Sequence, residues 1–171
     1  MLVLAPHAVA CQSATEPPQA VAWRFPAAIG MTDFDHDADG PGSITLFGVE
    51  RRLVRRLAVG AELGFGTTDR IGQCGVGSFQ FECVKAEYWP SFGVGTSLRV
   101  FQLGEASTGL LGQVGWSGPD TRQFYDAGLF ARFETVGSLD VGFEFRRRYG
   151  DTAGTLYLFR IARRLGAGPA D

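Results

Sequence analysis

The sequence predicts an all-β protein, a closed eight-stranded antiparallel up-and-down barrel, and three observations carry that prediction. Apolar residues recur with a period of two along most of the chain, while the 3.6-residue period of helices is almost absent. The alternating segments number eight, and an even count lets the first and last strands run antiparallel and close the sheet. The links between them alternate between short and long. At 171 residues the chain is long enough for one such domain.

Taken in order, the segments fall at 21–32, 43–51, 57–67, 84–101, 106–116, 124–135, 139–149 and 155–164. The third is the clearest: Leu57, Val59, Ala61, Leu63 and Phe65 share one face, and Gly60, Glu62, Gly64 and Gly66 the other. The fourth sets Val84, Ala86, Tyr88, Phe92, Val94, Leu98 and Val100 against Lys85, Glu87, Gly93, Gly95 and Arg99. The sixth sets Tyr125, Ala127, Leu129, Ala131 and Phe133 against Asp126, Gly128, Arg132 and Glu134. The seventh opposes Leu139, Val141, Phe143 and Phe145 to Asp140, Gly142, Glu144, Arg146 and Arg148. The other four alternate more weakly. Pro90 is the awkward residue, because it withdraws a ladder donor from the fourth segment and implies a bulge or an interruption there.

The links at 52–55, 102–105 and 136–138 are tight, those at 33–42 and 68–83 long, and those at 117–123 and 150–154 intermediate. Short turns at one end and longer loops at the other are the habit of bacterial outer-membrane barrels. Strands of about 11 residues, rising ~3.3 Å each and tilted near ~45°, span roughly the 25 Å apolar band of such proteins.

Alternation alone leaves open which face is inside. The polar face carries many glycines and a balanced charge set. Arg24, Lys85, Arg99, Arg132, Arg146, Arg148 and Arg160 meet Glu50, Glu62, Glu87, Asp126, Glu134, Asp140 and Glu144. An eight-stranded barrel leaves a lumen only wide enough for side chains, and glycines with mutually neutralising ion pairs can fill it. A solvated outer surface has no need of so many glycines. On the opposite face Phe65, Tyr88, Trp116, Tyr125 and Tyr157 fall near the longer loops, as an interfacial aromatic girdle would. The expectation is therefore a transmembrane barrel, with lipid outside and the fourteen charged residues as a luminal ion-pair network. The alternative is a soluble barrel with an aromatic core.

The remaining features bound location and chemistry. The start, MLVLAPHAVA followed by Cys11 and a Pro-rich stretch, resembles the end of a secretory signal with an A-x-A site, or a loose lipobox in which Cys11 would carry lipid. Residues 1–20 are thus read as a signal remnant or flexible tail, 21–165 as the barrel, and 166–171 as a C-terminal tail. Cys74 and Cys83, in a Gly-rich stretch of an exported chain, are read as a loop-closing disulfide, the alternative being two free thiols. In 33–40, Asp35, Asp37 and Asp39 match the opening of a calcium loop, but Leu46 stands where the closing Glu belongs, so weak Ca²⁺ binding competes with a plain acidic loop. No other cofactor is expected. With 16 basic against 18 acidic residues, nucleic acid is a poor partner. The run at 50–56, Glu-Arg-Arg-Leu-Val-Arg-Arg, suggests either an anionic partner or a turn whose arginines snorkel to headgroups at the membrane edge, and the turn is the favoured reading. Both histidines, His7 and His36, lie outside the strands, so no barrel-wall catalytic histidine is expected.

In strands such as LAVGAELGFG, FGVGTSLRV and LDVGFEFRRR, the chain resembles the small eight-stranded outer-membrane barrels of the OmpA transmembrane-domain, OmpX and opacity-protein type. It departs from them in continuing as ARRLGAGPAD after Phe159 and Ile161 instead of ending on a strand aromatic. The resemblance implies a monomeric, non-enzymatic barrel in a Gram-negative outer membrane, with lipid as its partner and a structural role or an adhesive one exercised through its loops. The rival readings are a soluble or lipid-anchored periplasmic lipocalin-like barrel that binds an apolar ligand, and a narrow channel.

Overall fold

The computed structural model describes residues 23–35, 39–118, 122–135 and 138–165. The leader 1–20 with His7 and Cys11, the residues His36 and Asp37, and the tail 166–171 lie outside the described residues. Eight strands follow one another: β1 (Trp23–Phe34), β2 (Asp39–Arg52), β3 (Leu57–Val76), β4 (Phe79–Leu103), β5 (Ala106–Ser117), β6 (Arg122–Glu134), β7 (Leu139–Gly150) and β8 (Gly154–Leu165). Each pairs antiparallel with its chain neighbour. β8 returns to β1 over an unbroken ladder from Trp23↔Leu165 to Phe34↔Gly154, which closes the barrel. Closure pairs the edges that an open sheet would leave exposed.

The burial pattern fixes the sides. Leu63, Val94 and Leu129 are 55%, 41% and 56% exposed on the outer face. On the same strands Glu62, Arg99 and Arg132 turn inward, with side chains only 13%, 12% and 9% exposed. The aromatic residues Phe65, Tyr88, Trp116, Tyr125 and Tyr157 are all on the outside. An outer wall of Phe, Leu, Ile and Val that no other described element covers, around an interior of arginine and carboxylate, inverts the arrangement of a water-soluble barrel.

The β3–β4 connection differs from the expected loop. β3 runs to Val76 and β4 resumes at Phe79, paired residue by residue from Leu57↔Leu98 to Val76↔Phe79. These strands have 20 and 25 residues, against 12 to 14 in the others, so the hairpin stands beyond the ring. Its turn is Gly77-Ser78, with Gly77 at a φ of 66°, a left-handed conformation that glycine adopts without steric cost. Glycine-rich sequence hides such a strand, because the ladder is made by backbone groups and leaves no apolar period to read.

Pro90 also finds its place here. The ladder between β4 and β5 begins only at Ser91↔Ser117, and the Pro90 carbonyl accepts a hydrogen bond from Gly118 N at 2.8 Å. Groups on one residue of an antiparallel strand point to the same side, so the missing N–H faces the point where β5 ends. No bulge is required there, contrary to the sequence-based expectation.

Candidate functional site: the barrel interior

Because successive side chains alternate across a strand, the inward residues of the eight strands meet on the barrel axis. At the short-turn end, Glu134 Oε1 accepts from Arg24 Nη2 at 2.9 Å, Arg99 Nη2 at 2.7 Å and Arg52 Nη2 at 3.3 Å. Asp140 lies 3.1 Å from Arg24 Nε and 3.0 Å from Arg164 Nε, as charge contacts without hydrogen-bond alignment.

In the middle, three arginines face three glutamates. Glu144 has no exposed side-chain surface; it accepts from Arg146 Nη2 at 2.5 Å and Arg160 Nη1 at 2.6 Å, with Arg132 Nη2 at 3.4 Å. Glu62 takes both terminal nitrogens of Arg146, at 2.7 and 3.1 Å, and lies 3.1 Å from Arg160. Glu50 accepts from Arg132 at 3.0 Å and Arg160 at 3.4 Å. Gln113 Oε1 completes the layer with a bond from Arg146 Nη1 at 2.6 Å. A cavity of about 40 Å³ lies beside these groups, against the small residues Ala58, Gly60, Gly95 and Ser97.

Toward the long-loop end, Arg148 holds Asp126 with two parallel bonds, Nε to Oδ1 at 2.8 Å and Nη2 to Oδ2 at 2.9 Å. Its guanidinium stacks over Phe124 at 3.7 Å. A planar, delocalised cation can make both contacts at once, which a lysine cannot. The wall beside this pair is apolar: Ala28, Ile44, Leu46, Leu156 and Leu158 pack with Trp89. The Trp89 ring lies against Gly66, where an added Cβ would meet it at 2.1 Å.

Twelve of the fourteen residues expected in the lumen are thus brought together. Lys85 and Glu87 are the corrections. They continue the luminal face along β4, but in the part of the hairpin that outruns the ring, so the same face meets solvent and both are exposed. Lys85 Nζ donates there to the Gln73 carbonyl at 3.3 Å. The interior also holds Arg52, Gln113 and Arg164, which the sequence reading left out. Arg52 belongs to β2 instead of the turn, Gln113 is uncharged, and Arg164 follows Arg163 in a pair whose inward member is shown only by register.

Cys74 and Cys83 are disulfide-bonded across the protruding hairpin, with Cα atoms 5.7 Å apart. Of the calcium-loop residues, Asp35 is gripped by Arg147, whose Nη1 donates to Oδ1 at 2.9 Å and whose Nη2 pairs with Oδ2; Asp39 begins β2.

No protein-family model matches the chain, and no curated protein matches it in sequence. Solved structures do match. The designed barrel TMB2.3, solved by solution NMR, is 11% identical, with a TM-score of 0.56 over 87% of this chain and 98% of that one. The Yersinia pestis outer membrane protein Ail, solved in a phospholipid bilayer nanodisc, is 10% identical, with a TM-score of 0.50 over 86% of this chain and all of that one. The fold is therefore similar to that of membrane β-barrels.

Proposed function

We propose that the chain is a bacterial outer-membrane β-barrel whose lumen is plugged by its own ion pairs and whose role is structural or adhesive. The observation that carries this reading is the sidedness of the wall: uncovered Leu, Phe and Val outside, neutralised arginine and glutamate inside. Lipid is the solvent that accepts such an exterior. Beside the central ion pairs a cavity of about 40 Å³ has room for a water or two, and one of about 10 Å³ beside Arg24, Glu50 and Asp140 for less, which supports a plugged lumen over a diffusion pore. The β3–β4 hairpin supports a role in contacts outside the membrane: it projects from the ring, a disulfide cross-links it, and Val76, Phe79 and Phe81 are exposed at its tip.

Heat-modifiable gel mobility together with carbonate washing of membranes tests this reading. A folded barrel is expected to migrate differently before and after boiling and to stay in the washed membrane. Release into the soluble fraction, with unchanged mobility, would sink it.

A further inference from the structure

Among the described residues, the short-turn mouth of the barrel gathers more arginines than carboxylates. Arg24, Arg52, Arg99 and Arg164 gather on Glu134 and Asp140, with Arg164 Nη1 3.5 Å from Glu134 Oε2. Deeper in the lumen the charges match: Arg132, Arg146 and Arg160 against Glu50, Glu62 and Glu144, and Arg148 against Asp126. The surplus of two positive charges among the described luminal residues therefore sits at the mouth. This cluster opens to solvent, since the Arg52 and Arg164 side chains keep 24% and 18% of their surface. Around it the rim adds the exposed Arg51, Arg56 and Arg163 against the exposed Glu105 of the β4–β5 turn, and the Arg51 guanidinium lies 5.4 Å from the Trp23 ring centre.

We propose that this mouth binds a phosphate-type oxyanion, supplied as free phosphate or on the headgroup of an anionic phospholipid. Guanidinium forks match phosphate oxygens two at a time and stay charged at any physiological pH. Glu134 does the assembly: by accepting from three guanidiniums through one oxygen, it holds together cations that would otherwise repel one another, with their surplus charge facing outward. The cradle thus exists before the anion arrives, so little ordering cost opposes binding. The site depends on the closed barrel and its charge distribution and is independent of the membrane assignment.

The test is calorimetric titration of the detergent-folded protein with sodium phosphate and then pyrophosphate, chloride being exchanged at constant ionic strength so that screening stays fixed. Saturable heat is expected from both oxyanions. The double variant R52Q/R99Q is expected to weaken binding at least tenfold, and R147Q, at the other end of the barrel, to leave it unchanged. Repeating the titration in nanodiscs assigns the source. If discs containing phosphatidylglycerol abolish a phosphate response seen in phosphatidylcholine discs, the headgroup occupies the site; if the response persists, the ligand is free phosphate. Absence of saturable heat with the unmutated protein would overturn the proposal whether or not the double variant folds. So would equal binding by the unmutated protein and a folded R52Q/R99Q. Gel mobility on the same samples reads the barrel assignment separately.

Discussion

Arg146 and Glu144 stand two residues apart on β7, so their side chains share the luminal face, and Nη2 meets Oε2 at 2.5 Å. Arg146 also reaches across the lumen to Glu62 on β3, while Glu144 takes Arg160 and Arg132 from the flanking strands β8 and β6. One pair on one strand thereby ties together strands far apart in sequence, and it fills a space that apolar side chains of similar volume would fill without fixing a register.

Glu144→Gln is expected to be the costliest single change in the interior. It leaves Arg132, Arg146 and Arg160 with two carboxylates among three charges in a site closed to solvent, and breaking such a buried set costs about 3–5 kcal/mol. Urea unfolding of the protein refolded in lipid measures it. A loss below about 1 kcal/mol, the scale of a surface pair, would show that water reaches the layer freely.

Glu62→Ala removes a partner of Arg146 and Arg160 at the edge of the small cavity, where a water can enter in place of the carboxylate. The expected loss is about 1.5–3 kcal/mol, less than at Glu144, because the bereaved guanidiniums can be resolvated. The order of the two variants in the same unfolding assay is the check. A larger loss at Glu62 would contradict the placement of the cavity.

Arg148→Lys tests geometry at constant charge. A lysine keeps the attraction to Asp126 but loses the second parallel bond and the stack on Phe124. An expected loss of about 1–3 kcal/mol follows from the stronger, bidentate form of the native contact. Unchanged stability would mean that charge alone holds this pair.

Pro90→Ala should fall within about 0.5 kcal/mol of the unmutated protein, since the proline lies where the β5 ladder ends and the change removes no hydrogen bond. Cys74→Ala should leave global unfolding nearly unchanged while protease cleavage within residues 72–83 speeds up, because the hairpin tip lacks the lateral neighbours that pin the ring. Peptide mapping after brief proteolysis distinguishes local opening from general loss of stability.

These residues also show what the sequence made legible. In β3, β6 and β7, Gly or a charge alternates with Leu, Phe or Val, and the faces follow directly from the pleat. In β8 the run TLYLFRIA is apolar on both sides, so its faces follow only from the parity that Arg160 sets; closure onto β1 agrees with it, Leu156 and Leu158 inside and Tyr157 and Phe159 outside. Phe124 and Phe130 face inward for the same reason Asp126 and Arg132 do, and they serve as platforms for Arg148 and Arg132. The hairpin extension was hidden because glycine and cysteine carry no period, and with it the exposure of Lys85 and Glu87. What composition did convey was charge balance in the middle of the lumen; the surplus at the mouth depends on Arg52 and Arg164, whose inward direction comes from register.

The tryptophans offer the most direct test of sidedness. Trp89 on β4 is buried in the lumen and Trp116 on β5 is exposed on the outer wall. Two variants, each retaining one of them with the other tryptophans changed to Phe, would be refolded into bilayers of brominated phospholipid and their fluorescence recorded. The account predicts strong quenching of Trp116 by the brominated acyl chains and little quenching of Trp89. Quenching of Trp89 with Trp116 unaffected would contradict it, as would folding only in the absence of lipid.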